Sequence, residues 1–392
     1  MEFVLFDSER KWKEFLPLTY TRPIADIRFG ILTIREKWEK YLKLKCRVYS
    51  QTYLSNKFPF PQTDSGIFIS SNICPNDALV KEIKKLNKNE ALFQNQTLIA
   101  FNGNIENINR SNKLIQKQFK GTLLYLENIC DIFRKNGEAI QEDFKFLTKG
   151  KKSAPIKSSV KIIGKRSQVF FEKGVVAEAC TINTHSGPVY VAKEAEIMEG
   201  SAIRGPFYLG EHSALKLNTK IYGPTSIGPH SKIGGEVNNC VIFGYTNKAH
   251  DGFIGNSVIG EWCNLGADTN SSNLKNNYAN VKIFNYLNEK MTDTGLQFCG
   301  LIMGDHSKTG INTMLNTGTV VGVGANIFGG GFPPTHIPSF YWGGADESET
   351  YKPEKLFETA EKVFARRGLK FNETEKELLT HIFSLTTKYR NY

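Results

Sequence analysis

The sequence predicts a left-handed parallel β-helix, preceded by an α/β domain and followed by C-terminal helices. Two observations predict the β-helix: an aliphatic residue returns at every sixth position, and 28 of the 34 glycines lie after Ala154. A helix has a period near 3.6 and a strand a period of 2, so a period of six is typical of hexapeptide repeats. The repeated positions are Val191, Ile197, Ile203, Leu209, Leu215, Ile221, Ile227 and Ile233.

Small or hydroxylic residues stand four places after most of these positions, where a tight corner needs them; examples are Ser201, Ser213 and Thr219. The period extends upstream to Ile163 and returns downstream at Met303. Between residues 266 and 300 it is lost in a segment rich in asparagine. Long excursions from a solenoid commonly carry binding features. We therefore expect a two-stranded excursion that walls a substrate pocket, with a plain contact between subunits as the alternative.

The N-terminal part alternates strands with helices. Apolar runs predict strands at 3–6, 46–50, 67–70 and 123–126, and helices at 31–41 and 77–86, with Asn76 as an N-cap. This alternation favours an α/β layer with a largely parallel sheet. At the other end, helices are predicted at 353–367 and 374–389, the second capped by Asn372 and covering the last coil. The predicted domains are 1–153, 154–345 and 346–392.

The composition narrows the class of function. The chain has 392 residues and a formal charge of +11, with its basic residues scattered. No nucleic-acid motif accompanies them, so phosphate-bearing small molecules are the favoured partners, with a solvated basic surface that binds nothing as the alternative. No apolar stretch approaches the 18 residues of a membrane span, and no signal-peptide pattern opens the sequence. The seven cysteines form no CxxC pair, which is typical of a reducing compartment and predicts a cytoplasmic protein.

The segment 17–23, Pro-Leu-Thr-Tyr-Thr-Arg-Pro, resembles the segment that follows the glycine-rich loop of sugar nucleotidyltransferases. That family holds nucleotide phosphates on the loop's backbone amides. Here residues 6–10 contain no glycine, and Ile24 stands where the family has a catalytic lysine. The arginines that could bind a triphosphate instead, or form ordinary ion pairs, are Arg10, Arg22 and Arg28. Asn72 is the candidate in the place of a metal-binding acid, although asparagine is a weak Mg²⁺ ligand by itself.

Residues 247–255 and 259–267 resemble the acetyltransferase domain of the bifunctional N-acetylglucosamine-1-phosphate uridyltransferase and glucosamine-1-phosphate acetyltransferase family (GlmU). The likeness is to the form with a diverged N-terminal domain. It implies that His250 is the catalytic base, and that Asn264 and Asn273 line the sugar and acetyl pocket. A histidine suits the chemistry, because an amino-sugar ammonium must lose a proton before it attacks a thioester.

Two positions depart from this family. Asn238 stands where the family has a lysine that binds the sugar phosphate, and Phe253 replaces a substrate-binding tyrosine. Lys220 falls near a phosphate-binding arginine and keeps its charge. The resemblance makes glucosamine 1-phosphate the first choice of acceptor. The two departures are reasons to expect a different amino-sugar phosphate instead.

Three histidines each lie three residues after a position of the repeat: His212, His230 and His250. We expect them to stack on one face of successive coils. The γ-class carbonic anhydrases, which are β-helix proteins with three zinc-binding histidines, are therefore a competing interpretation. The chain lacks the pair of histidines five residues apart that this family carries, and the motif around His250 favours acetyl transfer.

The resemblance implies a homotrimer that uses acetyl-CoA in the β-helix and UTP with Mg²⁺ in the N-terminal domain, to make a nucleotide sugar. Two alternatives stay open. In the first, the protein is an acetyltransferase whose N-terminal domain is a non-catalytic binding or regulatory module. In the second, the β-helix is a non-catalytic scaffold. Neither a nucleic acid nor a membrane is expected as a partner.

Overall fold

The computed structural model describes residues 2–62 and 64–391. Two compact units divide the chain: the residues up to Ile27 with Leu32–Ile129, and Arg28–Ile31 with everything from Cys130 onward. The domain limits predicted from the sequence stay a prediction. Within the described ranges, no helix is both long enough and apolar enough to cross a membrane.

The first unit is an α/β layer. Its strands are β1 (Phe3–Phe6), β2 (Arg47–Tyr49), β3 (Ser65–Ser70), β4 (Glu90–Gln94), β5 (Thr97–Asn104) and β6 (Ile115–Gln118). Its α-helices are α1 (Glu9–Glu14), α2 (Ile34–Leu42) and α3 (Asp77–Lys84). Short 3₁₀ helices occupy Leu18–Tyr20, Ile24–Asp26, Thr52–Leu54, Ile105–Asn109 and Ser111–Lys113. The Asn76 side chain caps α3 as predicted, accepting a hydrogen bond of 2.9 Å from the Leu79 N–H.

The sheet of this unit is mixed rather than largely parallel. Its order is β2-β1-β3-β5-β4-β6. The pairs β1–β2, β1–β3 and β4–β6 are parallel, whereas β5 runs antiparallel to both β3 and β4. The reason is a tight hairpin between β4 and β5, which turns on Asn95 at a φ of 53°. Asparagine tolerates this left-handed conformation, so the hairpin forms without the glycine that is usual in such turns.

The strand predicted at 123–126 is wrong. Leu124 and Leu126 are buried, but they bond to an irregular segment, with Leu124 O accepting from Cys74 N–H and Leu126 N–H donating to Asn72 O. Only an isolated bridge between Ile73 and Tyr125 has strand geometry there. The apolar run packs into the core without joining the sheet.

The second unit confirms the parallel β-helix. It opens with the helices α4 (Asp131–Arg134) and α5 (Asn136–Thr148), and its strands then form three parallel faces. Face A contains β7 (Lys161–Ile163), β10 (Thr181–Asn183), β13 (Ala202–Arg204), β16 (Lys220–Tyr222), β19 (Glu236–Asn238), β22 (Phe253–Gly255), β25 (Asn270–Ser271) and β30 (Met314–Leu315).

Face B contains β8 (Val169–Phe171), β11 (Val189–Val191), β14 (Phe207–Leu209), β17 (Thr225–Ile227), β20 (Val241–Gly244), β23 (Val258–Glu261), β28 (Ile302–Met303), β31 (Val320–Val321) and β33 (His336–Ile337). Face C contains β9 (Val176–Ala177), β12 (Glu196–Ile197), β15 (Ala214–Leu215), β18 (Lys232–Ile233), β21 (Asn247–Lys248), β24 (Asn264–Leu265), β29 (Lys308–Thr309), β32 (Asn326–Ile327) and β34 (Tyr341–Gly343), with β35 (Ser348–Thr350) antiparallel at its end. A 3₁₀ helix lies at Arg166–Gln168.

The repeated aliphatic residues form the continuous core of the β-helix, as the six-residue period predicts. The small residues between them join neighbouring coils. Ser213 Oγ, for example, donates to Gly228 O at 2.8 Å, and Ser307 Oγ donates to Gly322 O. Each coil therefore supplies the next with both apolar contacts and buried hydrogen bonds.

The predicted excursion is a hairpin of β26 (Lys282–Asn285) and β27 (Lys290–Asp293). It begins later than predicted, because β25 still pairs with β22 and β30. The C-terminal helices are α6 (Pro353–Ala365) and α7 (Glu373–Leu385), followed by a 3₁₀ turn at Thr387–Tyr389. Phe383 of α7 packs edge-on against Phe340 of the last coil, as expected, whereas α6 reaches back along the side of the β-helix to Trp262.

Candidate functional site

Face A brings together four of the residues predicted to bind substrate. In the strand register, Lys220 lies beside Glu236 and Glu236 beside Phe253, so the three form one row over successive coils. Asn238 lies two residues along from Glu236 on the same strand. Neighbouring strands are about 4.8 Å apart, which sets the spacing of this row.

Asn273 completes this group from the segment that follows β25. Its Nδ2 donates to Asn256 Oδ1 at 2.7 Å, and it lies directly over Gly255. A Cβ added at Gly255 would come within 2.5 Å of Asn273 Nδ2, so the glycine makes room for this amide. The predicted pocket residues Lys220, Asn238, Phe253 and Asn273 therefore share face A.

Sequence reasoning missed Glu236, which is in this row, and Tyr222, which lies in register with Asn238 on the same face. Glu236 stands between Lys220 and Phe253, and its carboxylate accepts a hydrogen bond from the Tyr222 hydroxyl of the preceding coil. The signal was available, because Glu236 occupies the first strand position of its coil, as Lys220 and Phe253 do. Burial is the main cause that raises the pKa of Tyr222 to about 12, with the Glu236 hydrogen bond second, so this phenol stays a proton donor at neutral pH.

His250 lies at the corner between faces C and A, just before β22. Its side chain is exposed, and its imidazole has no hydrogen-bond partner among residues 2–62 and 64–391. A general base must reach its proton without first breaking a strong internal bond. His250 stands three residues before Phe253, the first residue of β22, and its exposed imidazole meets that requirement.

The backbone at His250 is held by a buried lysine that the sequence analysis did not single out. Lys248 is only 1% exposed, and its Nζ donates to His250 O at 2.7 Å and to Gly234 O at 2.9 Å. It pairs in register with Ile233, so it fills an interior position that the repeat gives to an aliphatic residue. Burial lowers the pKa of Lys248 to about 8.

Asn264, the other predicted pocket asparagine, lies on face C and not with Asn273 on face A. Its Oδ1 accepts from Asn247 Nδ2 at 3.3 Å. In register it stands between Asn247 and Lys308. Within a single chain, the structure therefore places the two predicted pocket asparagines on different faces.

The predicted column of three histidines is wrong at its third member. The rings of His212 and His230 do stack, with centroids 4.9 Å apart, but the next ring in the column is Tyr245, also at 4.9 Å. Trp262 follows at 4.2 Å from Tyr245. These residues occupy the corner between faces B and C, whereas His250 lies at the next corner. Coil lengths vary, so counting along the sequence assigned His250 to the wrong corner.

This aromatic column is closed by the C-terminal part of the chain. Phe364 of α6 stacks on Trp262 with a centroid separation of 3.9 Å. His212, His230, Tyr245 and Trp262 all have φ between 51° and 61°, the left-handed conformation of this corner. Burial, then the neighbouring His212, lowers the pKa of His230. A neutral imidazole stacks here as any aromatic ring does. Aromatic packing therefore accounts for His212 and His230 in this column. No cluster of three or more potential metal ligands occurs among His, Cys, Asp and Glu in the described residues.

The three arginines proposed for nucleotide binding have different surroundings. Arg10 is exposed and pairs with Glu14 at 3.2 Å. Arg22 is buried near Asp26, whose pKa burial raises to about 6 against the opposing charges of Arg35 and then Arg22. Arg28 belongs to the second unit, where its Nε donates to Phe243 O at 3.0 Å and one terminal nitrogen donates to Ile31 O. Their nucleotide-binding role stays a prediction.

The carboxyl edge of the parallel strands in the first unit holds a buried acid. Asp7 follows β1, Ser50 follows β2, and Asn72 lies two residues after β3. Asp7 Oδ2 accepts from Ser50 Oγ at 2.6 Å and from the Ile24 N–H at 3.1 Å. Burial raises the pKa of Asp7 to about 6. Open α/β sheets bind ligands at this edge. Asp7 was not predicted as a site residue, because the resembling family has a glycine-rich loop at this point of the sequence.

Asn72 lies at this same edge. It is buried, and its Nδ2 donates to Leu126 O at 2.7 Å. This leaves the amide oxygen as its potential ligand atom. Asp7 Oδ1 is a buried oxygen without a hydrogen-bond partner in the described part of the chain. Oxygen atoms of this kind are the ligands that Mg²⁺ prefers.

The fold defines the class: an α/β unit joined in one chain to a hexapeptide-repeat β-helix. Residues 3–152 match a family described as sugar nucleotidyl transferase. The bifunctional sugar-1-phosphate nucleotidylyltransferase/acetyltransferase of Sulfurisphaera tokodaii is 36% identical over 146 residues, which are 37% of this chain and 36% of that protein. The bifunctional protein GlmU of Methanocaldococcus jannaschii is 36% identical over 87 residues, 22% of this chain and 21% of that protein.

These matches confirm the resemblance to GlmU-like bifunctional proteins, and they span about a third or less of the length of each relative. Among solved structures, the polysialic-acid-specific acetyltransferase NeuO is similar at 14% identity and a TM-score of 0.29, covering 50% of this chain and 87% of that one. A likeness at that score carries no argument about function.

Proposed function

We propose that the protein is a transferase of nucleotide-sugar synthesis with two activities. The β-helix transfers an acetyl group from acetyl-CoA to the amine of an amino-sugar 1-phosphate, with glucosamine 1-phosphate as the first choice. The first unit transfers a nucleotidyl group from UTP to the acetylated product. The observation that carries the proposal is the exposed His250 at the corner beside the row on face A. The two activities named together in the Sulfurisphaera relative support the pairing.

In the acetyl-transfer step, His250 takes a proton from the substrate ammonium. The amine then attacks the thioester carbonyl carbon, a C–N bond forms, and the C–S bond breaks. The coenzyme A thiolate leaves and takes up the second proton, which the attacking nitrogen loses as the amide forms, so that His250 ends protonated. A histidine is suited to this work near neutral pH. Lys248 contributes by holding the His250 carbonyl, which fixes the backbone that carries the base.

The acceptor lies along face A in this proposal. Lys220 supplies a positive charge for the sugar phosphate, and the amides of Asn238 and Asn273 supply hydrogen bonds. Glu236 adds a carboxylate in the same row, which suits an ammonium or hydroxyl group of the sugar. Because Phe253 has no hydroxyl, an acceptor that differs from glucosamine 1-phosphate near this ring is the second choice.

In the first unit, Mg²⁺ would be held by Asp7 and Asn72 oxygens and would neutralise the triphosphate charge. Ligand carboxylates must be deprotonated, so binding at Asp7 releases a proton below about pH 6. Arg10 and Arg22 are the candidates for the phosphate oxygens.

One observation favours the second candidate function, in which the first unit binds or regulates without catalysis. A buried carboxylate, Asp7, opens the segment where the resembling family has a glycine-rich phosphate loop. A negative charge there opposes a triphosphate unless a cation is bound. Release of pyrophosphate from UTP, in the presence of N-acetylglucosamine 1-phosphate and Mg²⁺, would exclude this candidate.

We further propose that the protein works as a cytoplasmic homotrimer. All seven cysteines are buried free thiols, which suits a reducing compartment. The separation of Asn264 and Asn273 on two faces suits a pocket completed by a second copy of the chain. Acetyl transfer by the isolated protein would exclude the remaining alternative, a non-catalytic scaffold.

The test is thiol release from acetyl-CoA with glucosamine 1-phosphate as acceptor. We expect turnover by the wild type and a fall of at least about a hundredfold in His250→Ala, the usual scale for losing a general base. His185→Ala is the matched control, because His185 is also exposed at a corner of the β-helix and should leave the rate unchanged. Equal rates for wild type and His250→Ala would overturn the assignment of the base.

A further inference from the structure

Two cysteine thiols of the second unit lie in contact. The Sγ atoms of Cys130 and Cys299 are 4.0 Å apart, although the two residues are separated by 169 positions in the sequence. Cys130 lies in the turn before α4, where the chain enters the second unit, and Cys299 lies between the excursion and β28. The contact therefore joins two irregular segments from distant parts of the chain.

Other buried cysteines of the β-helix have a different environment. Cys240 Sγ donates to Asn238 O at 3.2 Å, and Cys263 Sγ donates to Gly304 O at 3.3 Å. These thiols are bonded to backbone carbonyls of the coils. A thiol is only a weak donor and a weak acceptor, so two thiols facing each other make a weaker hydrogen bond than a thiol and a carbonyl do. What the contact does provide is two sulfur atoms placed where one covalent bond can join them.

The backbone at Cys299 is bonded to the candidate acetyl-transfer site. The Cys299 N–H donates to Asn273 O at 2.9 Å, and the next amide, that of Gly300, donates to Asn256 O at 2.9 Å. The side chains of these two asparagines are also bonded, from Asn273 Nδ2 to Asn256 Oδ1 at 2.7 Å. A displacement of Cys299 therefore acts directly on Asn273, one of the predicted pocket residues on face A.

We propose that Cys130 and Cys299 are a site of reversible oxidation, at which hydrogen peroxide joins them in a disulfide bond. In the first step, one thiol loses its proton and its sulfur attacks a peroxide oxygen. The O–O bond breaks, and a sulfenic acid and one water molecule form. In the second step, the sulfur of the other cysteine attacks the sulfenic sulfur, the S–O bond breaks, and a second water leaves with that thiol's proton. Each sulfur loses one electron, and the peroxide takes up both.

Burial of the pair determines how this reaction proceeds. Cys130 is 4% exposed and Cys299 is fully buried. The hydrogen bond to Cys299, and then burial, raise the pKa of the Cys130 thiol, so little thiolate is present and the first step is slow. A small oxidant reaches the sulfur by local opening of the turn, which follows the exposed residues 127 and 128. The second thiol is already in contact, so it captures the sulfenic acid before further peroxide oxidises it.

The disulfide also changes the geometry next to Asn273. Sulfur atoms in a disulfide are about 2.05 Å apart, so those of Cys130 and Cys299 must approach by about 2 Å. Side-chain rotation supplies part of this approach, and a shift of the two irregular segments supplies the rest. Because Asn273 is bonded to the Cys299 backbone, we expect the cross-link to slow acetyl transfer. This consequence rests on the proposed function, whereas the disulfide itself does not.

The first experiment identifies the cross-link by mass spectrometry. The full chain is treated with hydrogen peroxide, its remaining thiols are alkylated in urea, and it is digested without reductant. We expect one dominant pair of linked peptides, containing Cys130 and Cys299. It should be absent from Cys299→Ser and present in Cys46→Ser, the matched control, since Cys46 is also a buried free thiol. The wild-type result decides by itself, whether or not the variants fold.

The urea-unfolded chain, given the same peroxide, shows that the oxidant is competent. Three outcomes in the folded chain would overturn the proposal: dominant cross-links between other cysteines, sulfinic acid at Cys130 without a cross-link, or no oxidation at a peroxide concentration that oxidises the unfolded chain.

The second experiment measures thiol release from acetyl-CoA by the cross-linked protein, after the peroxide is removed. We expect a rate at least about tenfold lower than that of the reduced protein, since misplacing a positioning group by about 1 Å can cost a hundredfold. Dithiothreitol, removed before the assay, should restore the rate, and peroxide-treated Cys130→Ser should keep it. An unchanged rate in the cross-linked protein would overturn the effect on Asn273. Absence of turnover in the untreated protein would count against the proposed function and leave the cross-link result standing.

Discussion

The two units differ in which charged groups have a pKa shifted by burial: carboxylates in the α/β unit and ammonium groups in the β-helix. The α/β unit buries the carboxylates of Asp7 and Asp26, and burial raises the pKa of each to about 6. In the β-helix, burial lowers the pKa of the fully buried Lys248 to about 8, and it also lowers the pKa of the half-buried Lys308. The physical cause is the same, because loss of water disfavours whichever form is charged.

The two architectures place such a buried charged side chain at different positions. In the α/β unit, Asp7 lies just beyond the end of a buried strand, where side chains meet at an edge of the sheet. In the β-helix, Lys248 lies inside the coil, at a position that every neighbouring coil fills with an apolar or small residue. Both exceptions adjoin a candidate site, which is where departures from a local rule are expected.

The largest expected effect concerns Lys248→Met. The folded-state pKa of about 8 lies below the ordinary value of 10.5, so the folded chain binds fewer protons than the unfolded chain between these pH values. The wild type should therefore gain stability relative to the variant as the pH rises from 8 to 10.5, by about 3 kcal/mol. Urea unfolding of both proteins at pH 7 and above pH 10 measures it.

Lys161→Met is the control for this measurement, since Lys161 is exposed on β7. It should follow the wild type at every pH. Parallel pH profiles for wild type and Lys248→Met would show that Lys248 is not held in a desolvated position.

The opposite pH dependence is expected for Asp7→Asn. The folded pKa of about 6 lies above the ordinary 3.8, so the folded chain holds its proton longer than the unfolded chain. The wild type should lose stability relative to the variant as the pH rises from 3.8 to 6, by about 3 kcal/mol, and the difference should then stay constant. Thermal unfolding between pH 3.5 and 7.5, followed by circular dichroism, measures it (these pH values span roughly the window of titration).

Glu106→Gln in the same unit is the control, because this carboxylate is exposed. A difference between wild type and Asp7→Asn that does not vary with pH would contradict the buried position of Asp7. If both Asp7 and Lys248 behave as expected, the contrast in sign between the two units is established.

The smallest expected effect concerns a feature that both units have, a helix capped at its N-terminus by an asparagine side chain. Asn372 caps α7 by accepting from the Glu375 N–H at 3.0 Å, and Asn76 caps α3 in the same way. Asn372→Ala should cost about 1 kcal/mol, the usual value for an N-cap. Asn76→Ala should cost more, because Asn76 Nδ2 also donates to Thr122 O at 2.9 Å. Equal costs in denaturant unfolding would contradict the added role of this second bond.

How far the sequence predicted the molecule depends on periodicity. The repeat from Val191 to Ile233 specified strands, core positions and corners of the β-helix correctly, since one interior slot recurs with each hexad. The assumption of a constant coil length gave a wrong prediction for His250, because the coils change length. Ser226 pairs with Val241, 15 residues later, whereas Phe207 pairs with Thr225, 18 residues later. That shortening placed Tyr245 rather than His250 in the aromatic column.

The α/β unit has no repeat to constrain it, and its errors are of another kind. The hairpin at Asn95 and the irregular pairing at Tyr125 depend on contacts between distant segments, which local patterns do not contain. The candidate site shows the same limit. His250 was predicted from its sequence motif. The cavity lined by Lys308 of face C and Arg367 after α6 forms only when these two segments pack together, and neither segment's sequence predicts that contact.

One coil of the β-helix is much longer than the rest. Val258 pairs with Ile302, 44 residues later, and the strands on both sides keep their register. Each coil touches only its two neighbours, so added chain loops outward and the stack closes beneath it. The consequence is evolutionary: such a protein acquires or exchanges a surface element in one mutational event without refolding its interior. New specificity can therefore arise at the side of the molecule while the older coils persist unaltered.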